Sequence, residues 1–387
     1  MSQPFGAYQN EIYLQGLAGQ LPPFTTNPDG LEATAREQLE PGPYWYVAGG
    51  AGSGATMRAN REAFDHWRIV PRMLTDASRR DLSVTVLGTA MPAPVLLAPI
   101  GVQSILHPDG ELATARAAAA LGLPIVLSTA SSNTIEDVAA ASGLGPRWYQ
   151  LYWPNDPDVC VSILDRARAA AFEVLVVTLD TWTLAWRPND LDRSYLPFIR
   201  GTGTAIPFSD PAFRAGLASA PEDDLPAAVL RWVPMFTGTD HHWDQLGFLR
   251  EHWDGPIVLK GIQHADDARR AADAGIQGVI VSNHGGRQVD GAVAALDMLP
   301  EIVAAVGERI AVLFDSGIRT GADIVKALAL GARAVLLGRP YAYGLAHGGE
   351  AGVRHVLRSV LADLDLTLGL AGHRRPAELT PATLRQR

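Results

Sequence analysis

From about residue 94 onward, short apolar runs alternate with Ala-rich segments whose apolar positions recur at helical spacing. The runs predict strands at Pro94–Pro99, Pro124–Thr129, Arg147–Tyr152, Glu173–Leu179, Pro256–Lys260, Gly278–Ser282, Ile310–Asp315 and Ala334–Gly338. The segments between them predict helices over 110–121, 134–141, 156–170, 264–274, 292–306 and 320–329. Alternation of this kind builds βα units and a parallel sheet. Strands apolar on both faces are buried on both faces. Eight of them with short loops favour a closed (β/α)8 TIM barrel, an α/β fold, over an open doubly wound sheet.

Two regions break the rhythm. Residues 1–92 precede the barrel as an N-terminal extension with a helical stretch at 31–40, followed by YWYVAGGAG. Residues 180–241 form one long, lid-like loop after the fourth strand, a length usually tied to function. With the barrel over 93–372 and a tail over 373–387, the chain reads as one domain spanning 1–387.

Barrel enzymes place their chemistry at the C-terminal ends of the strands. Strand by strand, those ends present Pro99-Ile100-Gly101, then Ser128, then Gln150 and Tyr152, then Thr178 and Asp180 with Arg187 beyond. They continue with Lys260, then Ser282, His284 and Arg287, then Asp315, Gly317 and Arg319, and finally Gly338 and Arg339. FDSGIR and LLGRP pair a glycine with an arginine after strands seven and eight, where this fold commonly binds phosphate. His284 with Asp180 reads as a base whose tautomer a carboxylate fixes. Arg287 and Arg187 suit a substrate carboxylate, and Tyr152 and Tyr46 suit its other oxygens.

Composition sharpens one of these. Of 32 basic residues only Lys260 and Lys326 are lysines, so an ammonium at the end of IVLK is unexpected. It fits either a developing negative charge on a cofactor or enolate, or a Schiff-base nucleophile. The net charge of −9, with scattered basic residues, gives no footprint for nucleic acid. Apolar runs fall short of the ~18–20 residues that span a bilayer, so no membrane partner is expected. The N-terminal MSQPFGAYQNEIY lacks the marks of a signal peptide, and a cytoplasmic enzyme is the expectation. The single cysteine, Cys160, excludes an internal disulfide, and no metal site is expected at His241-His242. GGAGSG at 49–54 lacks the strand–helix context of a dinucleotide site.

SNHGGRQVDG, supported in order by LAPIG, QLYW, TLDT, VLKG, DSGIRTG and LGRP, resembles the FMN-dependent α-hydroxy-acid oxidase and dehydrogenase family over residues 31–375. PRWYQLYW and LAWRPNDLDRSYLPFIRG are most similar to its lactate 2-monooxygenase branch. The resemblance implies FMN as cofactor. Pro99, Ile100, Gly101, Ser128, Gln150, Thr178, Lys260 and Ser282 would hold its ring and ribityl parts. Asp315, Gly317, Arg319, Gly338 and Arg339 would hold the ribityl chain and phosphate. Tyr46, Tyr152, Arg187 and Arg287 would hold an L-2-hydroxy acid, His284 would be the base with Asp180 behind it, and Lys260 would stabilise reduced flavin. Departures are Ala130, where glycolate oxidases often carry tryptophan, Gly101, where several oxidases carry alanine, and Ser53-Gly54, where acidic residues are common.

The implied reaction takes two electrons from the hydroxy-acid carbon and passes them to O2, by hydride or carbanion route. Pyruvate retained until peroxide forms would give acetate, carbon dioxide and water; pyruvate released early would leave with hydrogen peroxide. A quinone- or cytochrome-linked dehydrogenase, an FMN-binding sensor or carrier, and a sugar-phosphate isomerase or lyase using Lys260 are the alternatives. Relatives assemble as tetramers or octamers, and a homo-oligomer is expected.

Overall fold

The computed structural model describes residues 3–238 and 241–387. Eight parallel strands close into a barrel: β1 (Val95–Leu97), β2 (Ile125–Ser128), β3 (Arg147–Leu151), β4 (Leu175–Thr178), β5 (Ile257–Ile262), β6 (Gly278–Val281), β7 (Ala311–Phe314) and β8 (Val335–Leu337). Each pairs with its neighbour in sequence, and β8 pairs with β1 to close the ring. The strands alternate their side chains between two cores. Leu96, Val126, Trp148, Val176, Val258, Ile280, Leu313 and Leu336 fill the barrel interior. Their neighbours, such as Leu97, Leu127, Tyr149 and Val177, join the larger core shared with the helices. Strands buried on both sides are apolar through their middles, which is why the sequence shows near-continuous apolar runs there, with polar residues such as Gln150 and Lys260 toward their C-terminal ends.

A hairpin, Val84–Val86 with Thr89–Met91, supplies Val86 and Met91 to the interior core. Trp148 Nε1 donates to Thr89 Oγ1 at 2.9 Å, and Thr89 Oγ1 donates to Glu173 at 2.7 Å, so the polar edge of the buried ring is satisfied. Trp148→Ala is expected to lower stability by about 3–5 kcal/mol, since the ring is fully buried and its neighbours are fixed strands. A urea midpoint equal to wild type would show that the interior repacks.

The N-terminal extension is more helical than its sequence pattern predicts. It forms Ala7–Leu17, Pro28–Gln38, Pro41–Ala48 and Ala55–Asp65. Pro28 and Pro41 each open a helix, where a missing N–H costs nothing. The glycines of 49–54 form the link between the last two of these helices. At the other terminus, Leu384–Gln386 returns to pair antiparallel with Trp67–Ile69, so tail and extension share one small sheet.

The long connection after β4 is folded into short helices, Pro188–Leu191, Pro197–Arg200, Ala205–Phe208, Pro211–Ala215 and Leu225–Phe236. Aspartates cap two of them: Asp210 accepts from Ala212 and Phe213 N–H, and Asp224 from Ala227 N–H. Residues 239–240 of the expected 180–241 loop lie outside the described residues.

Candidate active site

The C-terminal ends of the strands open on a cavity of about 390 Å³. Of the residues singled out from sequence, Tyr46, Pro99, Ile100, Gly101, Tyr152, Arg187, Lys260, His284, Arg287, Asp315, Gly317, Arg319, Gly338 and Arg339 all line it. The other five stand directly behind. Ser128 Oγ donates to Gln150 Oε1 at 3.0 Å, Ser282 Oγ accepts from Lys260 Nζ at 3.0 Å, Thr178 pairs with Lys260 across β4 and β5, and Asp180 meets His284.

His284 sits three residues beyond β6 with φ +58, a left-handed backbone that costs a non-glycine residue about 1–3 kcal/mol. Its N–H donates to Ser282 Oγ at 3.0 Å, and Ser316 Oγ accepts from Gly285 N–H at 3.0 Å, so hydroxyls clamp the turn on both sides. His284 Nδ1 lies 2.8 Å from Asp180 Oδ1 and 3.0 Å from Thr181 Oγ1. A carboxylate at Nδ1 holds that nitrogen protonated and leaves Nε2 as the basic one. Burial pushes the imidazole below its ordinary value, although Asp180 pulls the other way. Burial pushes Asp180 up, but Lys260 and His284 more than offset it and hold it at about 2. At neutral pH the pair is therefore a neutral imidazole on an ionised carboxylate.

Asp180 reaches this position because β5 bulges after Lys260. Gly261 has φ +106, and a Cβ there would lie 2.8 Å from the Asp180 Cβ. Lys260, only 3% exposed, has its ammonium 3.3 Å from Asp315 and 3.9 Å from Asp180. Burial alone would lower its pKa, but the two carboxylates raise it above the ordinary lysine value. A lysine held charged in this way is a poor Schiff-base nucleophile, so the electrostatic reading is favoured.

Positive charge dominates the wall. Lys260, Arg187, Arg287, Arg319 and Arg339 line the cavity, while Asp315 is the one carboxylate among its described lining residues. Burial and the nearby guanidiniums of Arg187 and Arg339 push Arg287 down to about 9. Burial and Arg339 push Arg319 down to about 10. Arginines crowded this way call for anions. Arg287 Nη1 meanwhile donates to Gly49 O at 3.0 Å, and Arg339 donates to the carbonyls of Val47, Gly49 and Gly285. Arg187 donates to Arg287 O at 3.1 Å and to Gln288 Oε1 at 2.7 Å. Thr181 and Gln288 belong to the TLDT and SNHGGRQVDG stretches, but sequence gives them no role, because it does not show that Thr181 meets His284 or that Gln288 bridges Arg187 and the Asp180 carbonyl.

One wall is apolar. Leu184, Leu196, Phe198, Trp232 and Phe236, all from the connection after β4, face the cavity. Phe198 stacks on Trp232 at 5.0 Å and Trp232 on Phe236 at 5.7 Å.

These features fit FMN. A phosphate would neutralise Arg319 and Arg339, and a flavin carbonyl would satisfy Gln150 Nε2, a buried donor with no hydrogen-bond partner among the described residues. Lys260 would supply a cation beside the ring. A family model described as FMN-dependent dehydrogenase matches residues 35–386. An FMN-dependent alpha-hydroxy acid dehydrogenase of Penicillium citrinum is 52% identical over 386 residues, covering 99% of this chain and 96% of the relative. An L-lactate oxidase of Lysinibacillus sphaericus (strain C3-41) is 40% identical over 362 residues, covering 94% and 93%. A crystal structure of mandelate oxidase is 37% identical, with a TM-score of 0.82, covering 94% of this chain and 99% of that one. With a closed barrel, a cationic cavity and a histidine–aspartate pair at its strand ends, this chain belongs to the FMN-dependent α-hydroxy-acid dehydrogenase family and is an FMN-dependent oxidoreductase of α-hydroxy acids.

Proposed function

We propose that the protein oxidises an L-2-hydroxy acid with O2 as electron acceptor. L-Lactate is the proposed substrate, and acetate, carbon dioxide and water are the proposed products. The observation that carries the oxidation is the His284–Asp180 pair facing a cavity that also holds Arg287 and Arg187. Arg287 and Arg187 bind the carboxylate. Tyr152 and Tyr46 hold the remaining oxygens. Nε2 of His284 takes a proton from the substrate, and Asp180 stabilises the imidazolium that results. FMN, when bound, supplies the two-electron acceptor, with Lys260 placed to stabilise the charge it gains. Pro99–Gly101, Ser128, Gln150, Thr178 and Ser282 hold its ring and ribityl parts, and Asp315, Gly317, Arg319, Gly338 and Arg339 its ribityl phosphate.

The share of the cavity wall supplied by the connection after β4, with Leu196, Phe198, Trp232 and Phe236, supports retention of the keto acid. Product release from a covered site is slow relative to chemistry in many enzymes. Hydrogen peroxide formed beside retained pyruvate would add one oxygen to its keto carbon; the O–O bond and the bond to the carboxylate then break, so that one peroxide oxygen stays in acetate, the other leaves as water and the carboxylate leaves as carbon dioxide. The stacked Phe198, Trp232 and Phe236 favour a second reading, an oxidase for hydroxy acids with a larger apolar side chain.

Product analysis in air with L-lactate and L-mandelate tests both. Acetate and carbon dioxide without free peroxide support the first reading. Stoichiometric pyruvate and peroxide would overturn monooxygenation. Faster turnover of mandelate would favour the second reading. Arg287→Ala is expected to raise KM for the hydroxy acid by roughly 10–100-fold, the worth of a charge-assisted hydrogen bond of about 1.5–3 kcal/mol. An unchanged KM would remove Arg287 from the clamp.

A further inference from the structure

The left-handed turn that carries His284 is tied to a helix outside the barrel. Asn283, the preceding residue, is 4% exposed, and its side chain meets Asn60, 2% exposed, in a two-way amide pair. Asn60 Nδ2 donates to Asn283 Oδ1 at 2.8 Å, and Asn283 Nδ2 donates to Asn60 Oδ1 at 2.7 Å. Both oxygens take a second bond: Asn60 Oδ1 from Ala295 N–H at 3.1 Å, and Asn283 Oδ1 from Gly286 N–H at 3.1 Å. Asn60 belongs to the helix Ala55–Asp65 of the N-terminal extension.

The same helix grips the loop twice more. Thr56 Oγ1 donates to Val289 O at 2.8 Å and accepts from Ala292 N–H at 2.9 Å. The Asp290 carboxylate accepts from Ser53 N–H at 2.6 Å and Ala55 N–H at 2.7 Å, at the positive end of the helix. The loop from Asn283 to Ala292, with His284 and Arg287 in it, is thus lashed at both ends to one element. A buried amide pair in which every oxygen and nitrogen has a partner admits one arrangement and penalises others, because a shift leaves buried donors and acceptors unmet. An apolar pair would fill the same space without fixing the orientation of Asn283.

We propose that Asn60 is a positioning residue for the reaction, acting through Asn283 to hold the backbone turn that aims His284 at the substrate. This rests on the reading of His284 as the base. The extension then completes the active site rather than merely covering the barrel.

The test is a double-mutant cycle on the FMN-loaded enzyme. Anaerobic flavin reduction is followed at saturating L-lactate or L-mandelate, whichever reduces wild type faster. The proteins are wild type, Asn60→Ala, His284→Ala and the double variant, with FMN content and urea midpoint measured in parallel. Asn60→Ala is expected to lower the limiting reduction rate at least tenfold in the wild-type background and less than twofold in the His284→Ala background, because its effect passes through the imidazole. Equal losses in both backgrounds, or a lower urea midpoint with a normal rate, would overturn the proposal and leave His284 as the base. A wild-type rate in His284→Ala alone would overturn the base reading and the proposal with it. Should Asn60→Ala fail to hold FMN, Asn283→Ala carries the same cycle, since it removes the other half of the amide pair, with a loss of at least tenfold expected only where His284 is present. Equal rates with and without that substitution would overturn the proposal.

Discussion

His284→Ala is expected to hold FMN as wild type does and to lose roughly 10²–10⁴-fold in flavin reduction, the range that a positioned base contributes. Cofactor retention follows from geometry. The side chain faces the cavity and bonds to Asp180 and Thr181, while of the groups suited to FMN only Ser282 shares its strand end, and it meets the His284 backbone N–H rather than the imidazole. The pH dependence has a definite sign. Burial lowers the His284 pKa, so the imidazole stays neutral, and competent as a base, below the ordinary histidine value of about 6.5. The acid limb of kcat/KM should therefore fall below pH 6.5 in wild type. Asp180→Asn removes the carboxylate that pulls the imidazole upward and should move that limb lower still, with a smaller kcat. An acid limb above 6.5, or wild-type reduction in His284→Ala, would assign the base elsewhere.

Lys260→Met should strongly destabilise the folded protein. It keeps the length of the side chain and removes the one cation within 4 Å of both Asp180 and Asp315. Breaking a buried ion pair from one side costs about 3–5 kcal/mol, because the remaining charge is left without compensation. The pH sign also reverses. In wild type Asp180 titrates at about 2, below an unfolded carboxylate at about 3.9, so it adds stability above pH 4 that is lost as pH falls through 2. Without Lys260 the largest influence that opposes burial is gone, and the Asp180 carboxyl pKa is expected to rise above its unfolded value. Stability is then lost as pH rises through the unfolded value toward the raised one. Urea midpoints at pH 5 and pH 8 should show a larger deficit at pH 8. Equal deficits at the two values would mean that His284 alone keeps Asp180 ionised. FMN uptake should weaken as well, since the wall loses a cation beside the proposed ring site.

The barrel was legible in the chain because its physics is local and repetitive. Parallel strands buried on both faces are apolar except near their ends, and their helices must show a 3.6-residue period, so both leave marks in the order of residues. Strand-end chemistry was legible for a related reason. Once the strands are placed, His284, Lys260, Asp315 and Arg319 fall at their C-terminal ends by counting. Lys260 stood out further because this chain otherwise writes arginine.

What the order of residues did not disclose depends on contacts across long separations. Asp180 reaches His284 only because β5 bulges at Gly261, a register shift invisible in IVLKG. The aromatic wall of Phe198, Trp232 and Phe236 comes from a segment whose Pro and Asp clusters read as loop: Phe198 sits in a four-residue turn too short to show a period, and the helix Leu225–Phe236 that carries Trp232 and Phe236 has prolines at 226 and 234. Asn60 and Asn283 lie 223 positions apart, and nothing in either neighbourhood names the other. Sequence by itself determined the barrel, its cofactor class and the residue types at its mouth, because these follow from local pattern and motif. Tertiary structure decided which charges meet, which turn is held and what walls the cavity, because those energies arise only when distant segments exclude water together.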